Sequence, residues 1–112
     1  ILDKTRVKPI TYELIRKGLW AVVNEPSGTA YSLRLPAMDF AGKTGTAQVI
    51  SLSKDRVYSK CENMKFRERH HGLFAGFAPI ENPKIAVAVI AEHSCHGSSG
   101  AGPIAKAVIE TY

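Results

Sequence analysis

The sequence of 112 residues is poor in cysteine and tryptophan, and it lacks the apolar segments that identify membrane spans and signal peptides. It has two cysteines and one tryptophan. It has no apolar run of about 18 residues that would predict a membrane span. A basic segment followed by a short apolar one, the pattern of a signal peptide, is also missing. Because the sequence starts at Ile1 without Met, we expect a fragment of a longer protein, with a modest core of one domain.

The two cysteines leave three interpretations open. Cys61 and Cys95 can form one disulfide, although spacing cannot prove it. Residues 93–96, His-Ser-Cys-His, are compatible with a soft metal, but four zinc ligands would need a further residue from Cys61, His70 or His71. The favoured interpretation is two free or weakly exposed thiols in loops, with no metal and no other cofactor.

Positive charge is in excess, with a net charge of +5, and part of it lies in residues 54–71. This segment could attract an anionic surface, but a solvated, mobile loop is the favoured interpretation. Nucleic acid is not expected as a partner. The aromatic residues do not alternate with basic ones as stacking platforms would, and no helix-turn-helix or zinc-finger spacing occurs.

Hydrophobic periodicity predicts helix, three strands, helix, in an α/β (α+β) fold with an antiparallel sheet and terminal helices packed on it. The predicted helices cover residues 9–23 and 103–112, and the strands cover residues 40–50, 72–79 and 84–92. The last strand is almost wholly apolar, which predicts that both of its faces are covered.

Two apolar stripes are expected to face the core. The first helix carries Ile15, Leu19 and Val22, widened by Leu14 and Val23. The last helix carries four apolar residues on one face: Ile104, Val108, Ile109 and Tyr112.

Residues 41–49, Ala-Gly-Lys-Thr-Gly-Thr-Ala-Gln-Val, contain the candidate chemistry. Lys43 offers a cation that can orient a carboxylate or assist proton transfer beside a nucleophile. Thr44 and Thr46 offer hydroxyls for a substrate carboxylate, and Gly45 removes bulk. The backbone N–H of Thr46 could form half of an oxyanion hole. Lys-Thr-Gly is one of three signatures of β-lactamases and penicillin-binding proteins.

Together with its surroundings, this motif resembles the C-terminal part of a class B penicillin-binding protein transpeptidase domain. The matching segments, in order along nearly the whole chain, are Gly28-Thr29-Ala30, residues 41–49, residues 74–79 with Asn82-Pro83, and the apolar strand. The elongation type, penicillin-binding protein 2, is most similar. The features that favour it are the long basic connection ending at Arg69-His70-His71, Glu92 after the apolar strand, and the Gly-rich loop before the last helix.

The resemblance implies a peptidoglycan D,D-transpeptidase, a serine acyltransferase of the penicillin-binding and serine β-lactamase-like fold. It implies an anchor in the bacterial inner membrane and a catalytic domain in the periplasm. It implies stem peptides as substrates, β-lactams as acylating drugs, and an elongation-system glycosyltransferase and MreC as partners. Lys43 would assemble the site, Thr44 and Thr46 would receive the carboxylate beside Gly45, and the Thr46 N–H would help to hold the oxyanion.

One departure from the family pattern is large. The S-x-x-K and S-x-N motifs precede K-T-G in the family, and neither precedes it here. Residues 51–54, Ser-Leu-Ser-Lys, match S-x-x-K by letter, but they follow the K-T-G strand and no helical stripe follows Ser51. Residues 1–112 are therefore expected to be the C-terminal portion of one transpeptidase domain and to be inactive alone.

Three alternatives stay open at this point. A D,D-carboxypeptidase or β-lactamase fragment would use water as the acceptor. A penicillin-sensing module would keep K-T-G without turnover. A scaffold for the cell-wall machinery would tolerate replacement of Lys43.

Overall fold

The computed structural model describes residues 6–51 and 59–112. It has the predicted element order of one helix, three strands and a second helix. The bounds are α1 Pro9–Asn24, β1 Ala41–Ala47, β2 His71–Ala78, β3 Ile85–Ala91 and α2 Gly102–Thr111. Pro occupies the first turn of both helices, where its missing N–H would have no helical partner.

The three strands form one antiparallel sheet in the order β1-β2-β3. In its register Thr44 lies opposite Phe74, which lies opposite Val89. β1, which carries K-T-G, is therefore an edge strand among the described residues, and one side of its backbone is not paired with another strand.

The main core lies on the sheet face that carries Phe74 and Val89. Val23 from α1 and Ile109 from α2 reach the same cluster, together with Phe40 just before β1. The Phe40 and Phe74 rings meet edge to face with centroids 6.4 Å apart. The C-terminal end of α1 and the buried face of α2 thus pack toward one face of the sheet, as expected for a sheet with terminal helices.

The opposite face of the sheet is open within the described chain. β3 alternates between half-buried and exposed residues along its length. Ile90 has 69% of its surface exposed. The prediction that both faces of β3 are covered is therefore wrong for these residues. The sequence of an all-apolar strand does not show whether each face is covered, because the elements that could pack on it lie elsewhere in the sequence.

The predicted helix stripes are only partly correct. In α1, Val23 is fully buried, but Leu14 and Ile15 are exposed. In α2, Ile109 is buried, whereas the other three predicted core residues are exposed: Ile104, Val108 and Tyr112. The buried face of α2 instead carries small residues, Gly102 and Ala105, which let the helix approach the sheet closely.

The connection between β1 and β2 is more ordered than the predicted mobile loop over its described part. Residues 59–70 contain two short 3-10 helices, Cys61–Asn63 and Phe66–Glu68. Cys61 forms a disulfide with Cys95, 34 residues away, so the interpretation as free thiols is wrong. Both sulfurs are thereby unavailable as metal ligands. The disulfide and Met64 form a small second core against Ile50.

No helix that the structure describes combines the length and the apolar character needed to cross a bilayer.

Gly18, in the middle of α1, provides a test of helix stability. A Cβ at this position would meet no atom of the described residues within 4 Å. Gly in a helix interior costs about 1 kcal/mol relative to Ala. Gly18→Ala should therefore raise the free energy of unfolding of this chain by about 0.5–1 kcal/mol, measured by thermal unfolding followed by circular dichroism. A decrease in the complete protein would show that a segment outside this chain packs against Gly18.

Candidate active-site strand

The four residues singled out by sequence, Lys43, Thr44, Gly45 and Thr46, lie in the middle of edge strand β1. Lys43 and Thr46 are exposed, while Thr44 and Gly45 are half-buried. Successive side chains of a strand point to opposite faces. Lys43 and Gly45 accordingly lie on the open face, and Thr44 and Thr46 lie on the face that carries the core.

Lys43 has no ion-pair partner within residues 6–51 and 59–112. Its Nζ donates to the backbone oxygen of Thr44 at 2.8 Å and contacts Thr44 Oγ1 at 3.4 Å. No serine hydroxyl of the described chain is bonded to this ammonium. An exposed cation bonded only to its neighbour on the strand remains available to a group outside the described residues.

Thr29 is a site neighbour that sequence reasoning did not connect to K-T-G. Its Oγ1 lies 3.1 Å from Thr44 Oγ1, so the two hydroxyls share a hydrogen bond. The adjacent Ala30 N–H donates to the Val22 carbonyl at 2.9 Å, which ties this segment to the end of α1. The Gly28-Thr29-Ala30 match was visible in the sequence, but its contact with the strand was not.

The segment leading into β1 is held by the C-terminal turn of α1. Asn24 Nδ2 donates to the Phe40 carbonyl at 2.9 Å and to the Trp20 carbonyl at 2.9 Å. Trp20 Nε1 donates to Asp39 Oδ2 at 3.1 Å. These bonds fix the backbone three to four residues before Lys43, so α1 sets where the motif begins.

The two glycines of the motif have different neighbours. A Cβ on Gly42 would overlap the Phe74 ring and come within 2.8 Å of the Ala75 carbonyl oxygen. A Cβ on Gly45 would lie 3.2 Å from Leu73 Cβ, which is tight but not blocked. The absence of a side chain at Gly42 thus serves the protein's own packing, whereas Gly45 leaves the strand bare on its open face.

Two apolar depressions flank this strand and the sheet. One of about 420 Å³ lies over the open face, and its lining includes Lys43, Leu19 of α1 and Phe77 of β2. A larger one of about 780 Å³ runs along α2 beside Ile85. Contiguous exposed apolar surface of this kind marks a place where another part of a protein packs.

Glu62, which follows the disulfide-bonded Cys61, has a carboxyl group with a lowered pKa. The pKa of its carboxyl lies below the usual 4.5, mainly because the carboxylate accepts a hydrogen bond from its own backbone N–H. A hydrogen bond with His96 Nε2, at 2.8 Å, acts in the same direction. Both partners of this pair are more than half exposed, so its effect on stability is small.

The structure places two further sequence features, the Ser-x-x-Lys match at residues 51–54 and the pair His70-His71. Ser51 is described and exposed, whereas the rest of the S-x-x-K match by letter lies outside the described residues. His71 begins β2 and is half-buried, with its Nδ1 accepting the His93 backbone N–H at 2.9 Å. His70 and His71 are thus both half-buried where the connection enters β2.

Comparison with known proteins agrees with this geometry. A sequence model of the penicillin-binding protein transpeptidase domain matches residues 1–110. The Acinetobacter baumannii protein named peptidoglycan D,D-transpeptidase MrdA is 46% identical over 84 residues, which are 75% of this chain and 12% of that protein.

Two solved structures have the same fold over almost all of this chain. The crystal structure of Pseudomonas aeruginosa PBP2 in complex with WCK 5153 is 35% identical, with a TM-score of 0.76, over 97% of this chain and 21% of that one. The complex between PBP2 and MreC from Helicobacter pylori is 30% identical, with a TM-score of 0.74, over 97% and 19%. The chain thus spans less than a quarter of the length of each of these proteins.

Proposed function

Because this chain belongs to the penicillin-binding protein transpeptidase family, we propose that it forms the K-T-G wall of a peptidoglycan D,D-transpeptidase active site. The observation that carries the proposal is Lys43, an exposed cation on an edge strand that has no carboxylate or serine partner in the described residues. Lys43 would thus supply one part of the proposed active site. The other half, with the S-x-x-K and S-x-N motifs, belongs to an upstream part of the same domain.

The reaction is a serine acyl transfer. The upstream serine attacks the carbonyl carbon of the D-Ala-D-Ala bond, the terminal D-Ala leaves, and an amine from a neighbouring stem peptide takes the acyl group. Lys43 stabilises negative charge near the attacking serine and helps to assemble the site. The hydroxyls of Thr44 and Thr46 receive the substrate carboxylate, and the bare Gly45 lets the peptide lie against the strand.

Strand parity supports the proposed role of the Thr46 N–H in the oxyanion hole. In an antiparallel edge strand, alternate residues point both backbone groups away from the sheet. The Thr44 carbonyl oxygen accepts a hydrogen bond from Lys43 Nζ at 2.8 Å. This contact supports a Thr44 backbone whose N–H and C=O point away from β2. Thr46 is two residues on and has the same parity, so its N–H would point outward, where an oxyanion would develop.

The open face of the sheet and the groove along α2 are the surfaces on which the upstream part would pack. Both are lined mainly by apolar side chains, and Ile90 and Ile104 on them are exposed in this chain. Burying apolar surface contributes about 25 cal/mol per Å². The upstream part of the same domain would thus cover these surfaces and bring its serine toward Lys43.

The relatives support a proposal for the cellular location and the partners. The names of the relatives favour transpeptidation over a water-dependent hydrolase. A membrane anchor upstream would place the domain in the periplasm at the inner membrane. β-Lactams would acylate the same serine. MreC, which is bound in the Helicobacter pylori complex, and a glycosyltransferase of the elongation system are the proposed protein partners.

The deciding experiment is intact mass spectrometry after incubation with benzylpenicillin, performed on this chain alone and on this chain combined with its upstream segment. We expect a covalent adduct only in the combined sample, because the serine lies upstream. The adduct should map by peptide analysis to an upstream serine.

Two results would contradict the proposal. An adduct on Ser51 or Ser53 in the isolated chain would make residues 51–54 the nucleophile motif. No adduct in either sample would favour a non-catalytic scaffold instead.

A further inference from the structure

The loop between β3 and α2 lies directly behind the K-T-G strand. Gly97 in this loop is buried, and a Cβ on it would come within 2.8 Å of the Gly45 carbonyl oxygen and 3.0 Å of the Gly45 nitrogen. The same Cβ would overlap the carbonyl oxygen of Leu73 on β2. The loop backbone is thus in close contact with the glycine of K-T-G, and its position affects where that strand lies.

The backbone of this loop has a conformation that does not form readily by itself. His93 has φ of 55° and Cys95 has φ of 69°, both in the left-handed region. Residues other than Gly adopt this region in only a few per cent of cases, with Asn, Asp and His more frequent than the others, because Cβ approaches the carbonyl oxygen too closely. Two such residues within three positions persist only when surrounding contacts hold them.

Cys95 is held from two sides. Its sulfur is joined to Cys61 in the connection between β1 and β2, with the two Cα atoms 5.7 Å apart. Its backbone N–H donates to the His70 carbonyl at 2.9 Å. Both half-cystines are more than nine-tenths buried.

The neighbouring Ser94 also connects the loop, through its hydroxyl, to β2 and β3. Its Oγ accepts the Gly72 N–H at 3.2 Å and donates to the Ala91 carbonyl at 2.9 Å. A further side-chain link between loop and connection is the pair His96–Glu62, which is exposed and therefore screened by solvent. The disulfide is thus the covalent attachment between two segments that both adjoin the K-T-G strand.

We propose that the Cys61–Cys95 disulfide is a positioning element of the acyl-transfer site. It holds the loop at residues 93–97 in its left-handed conformation, so that Gly97 supports Gly45 from behind and the outward edge of β1 keeps its geometry. This role rests on the proposed function. A disulfide also requires an oxidising compartment, which agrees with the proposed periplasmic location.

A disulfide that served stability alone would behave differently. Its main effect would be on the unfolded state, so its removal would lower the unfolding midpoint and leave the reactivity of the folded protein unchanged. A positioning disulfide affects the folded protein itself. Small displacements of reacting groups cost up to about 100-fold in rate.

The test uses the complete protein and its Cys61→Ser/Cys95→Ser double variant. Acylation by a fluorescent penicillin is followed by stopped flow at saturating drug, at a temperature where circular dichroism shows both proteins folded. We expect the acylation rate constant of the double variant to fall by about 10-fold to 100-fold. Gly97→Ala, which keeps the disulfide but pushes the loop from Gly45, should show a similar fall.

Gly18→Ala is the matched glycine control and should acylate at the unaltered rate, because a Cβ there meets no atom of residues 6–51 and 59–112 within 4 Å. An unchanged rate constant in the folded double variant overturns the positioning role and leaves the proposed function intact. Alkylation of Cys61 and Cys95 in the native, unreduced protein overturns it as well. No acylation of the unaltered protein overturns the proposed function and, with it, this role.

Discussion

Lys43→Met in the complete protein is expected to lower the second-order rate constant of β-lactam acylation by about 10²-fold to 10³-fold, the loss typical of removing one group that stabilises transition-state charge. Methionine keeps an unbranched chain of similar length but has no charge. The ammonium has no ion-pair partner in the described residues, so the folded chain loses little by this change. The measurement is labelling with fluorescent penicillin against time.

Lys84→Met provides the matched control, since Lys84 is an exposed lysine just before β3 and away from the motif. Its acylation rate should equal that of the unaltered protein. If Lys43→Met were acylated as fast as Lys84→Met, K-T-G would have no catalytic part here, and the scaffold interpretation would gain support. Equal unfolding midpoints of the two variants would show that the comparison concerns chemistry and not folding.

Phe74→Ala should give the largest loss of stability, about 3–5 kcal/mol in the free energy of unfolding. Phe74 has 1% of its surface exposed and meets Phe40 edge to face. Its ring also lies against Gly42, so its removal leaves a cavity directly beneath the motif strand. Urea unfolding monitored by circular dichroism measures the change.

Phe66→Ala is the control of the same chemical type. Phe66 has 62% of its surface exposed, and its ring lies 5.0 Å from that of His93. Its loss should cost less than about 1 kcal/mol, as is usual for exposed positions. Similar costs for the two variants would show that the core is not centred on the Phe40–Phe74 pair.

The sequence was sufficient for features that depend on local signals. Turn residues and apolar periodicity predicted both helices and all three strands, with bounds within a few residues of those observed. The sequence also predicted an antiparallel sheet, and the register of β2 with β3 confirms that direction. The K-T-G motif and its flanking residues were enough to predict the strand that is β1 in the fold.

Other features depended on residues that are distant in the sequence. Two cysteines 34 positions apart carry no signal of pairing, and only the fold brings their Cα atoms to 5.7 Å. The same applies to the bond between Thr29 and Thr44, and to the contact of Gly97 with Gly45. The exposed stripes of α1 and α2 were misassigned because periodicity gives the apolar face and not the layer that covers it.

By itself, the sequence determined the element order, the family resemblance and the residues that carry the proposed chemistry. These features depend on the type and spacing of side chains within short segments of the chain. Only the tertiary structure decided that, within the described residues, K-T-G occupies an edge strand, one sheet face is open, and a disulfide-linked loop lies close to Gly45. The physical reason is that strand pairing and packing join segments far apart in the chain, and their energies depend on distances that spacing does not specify.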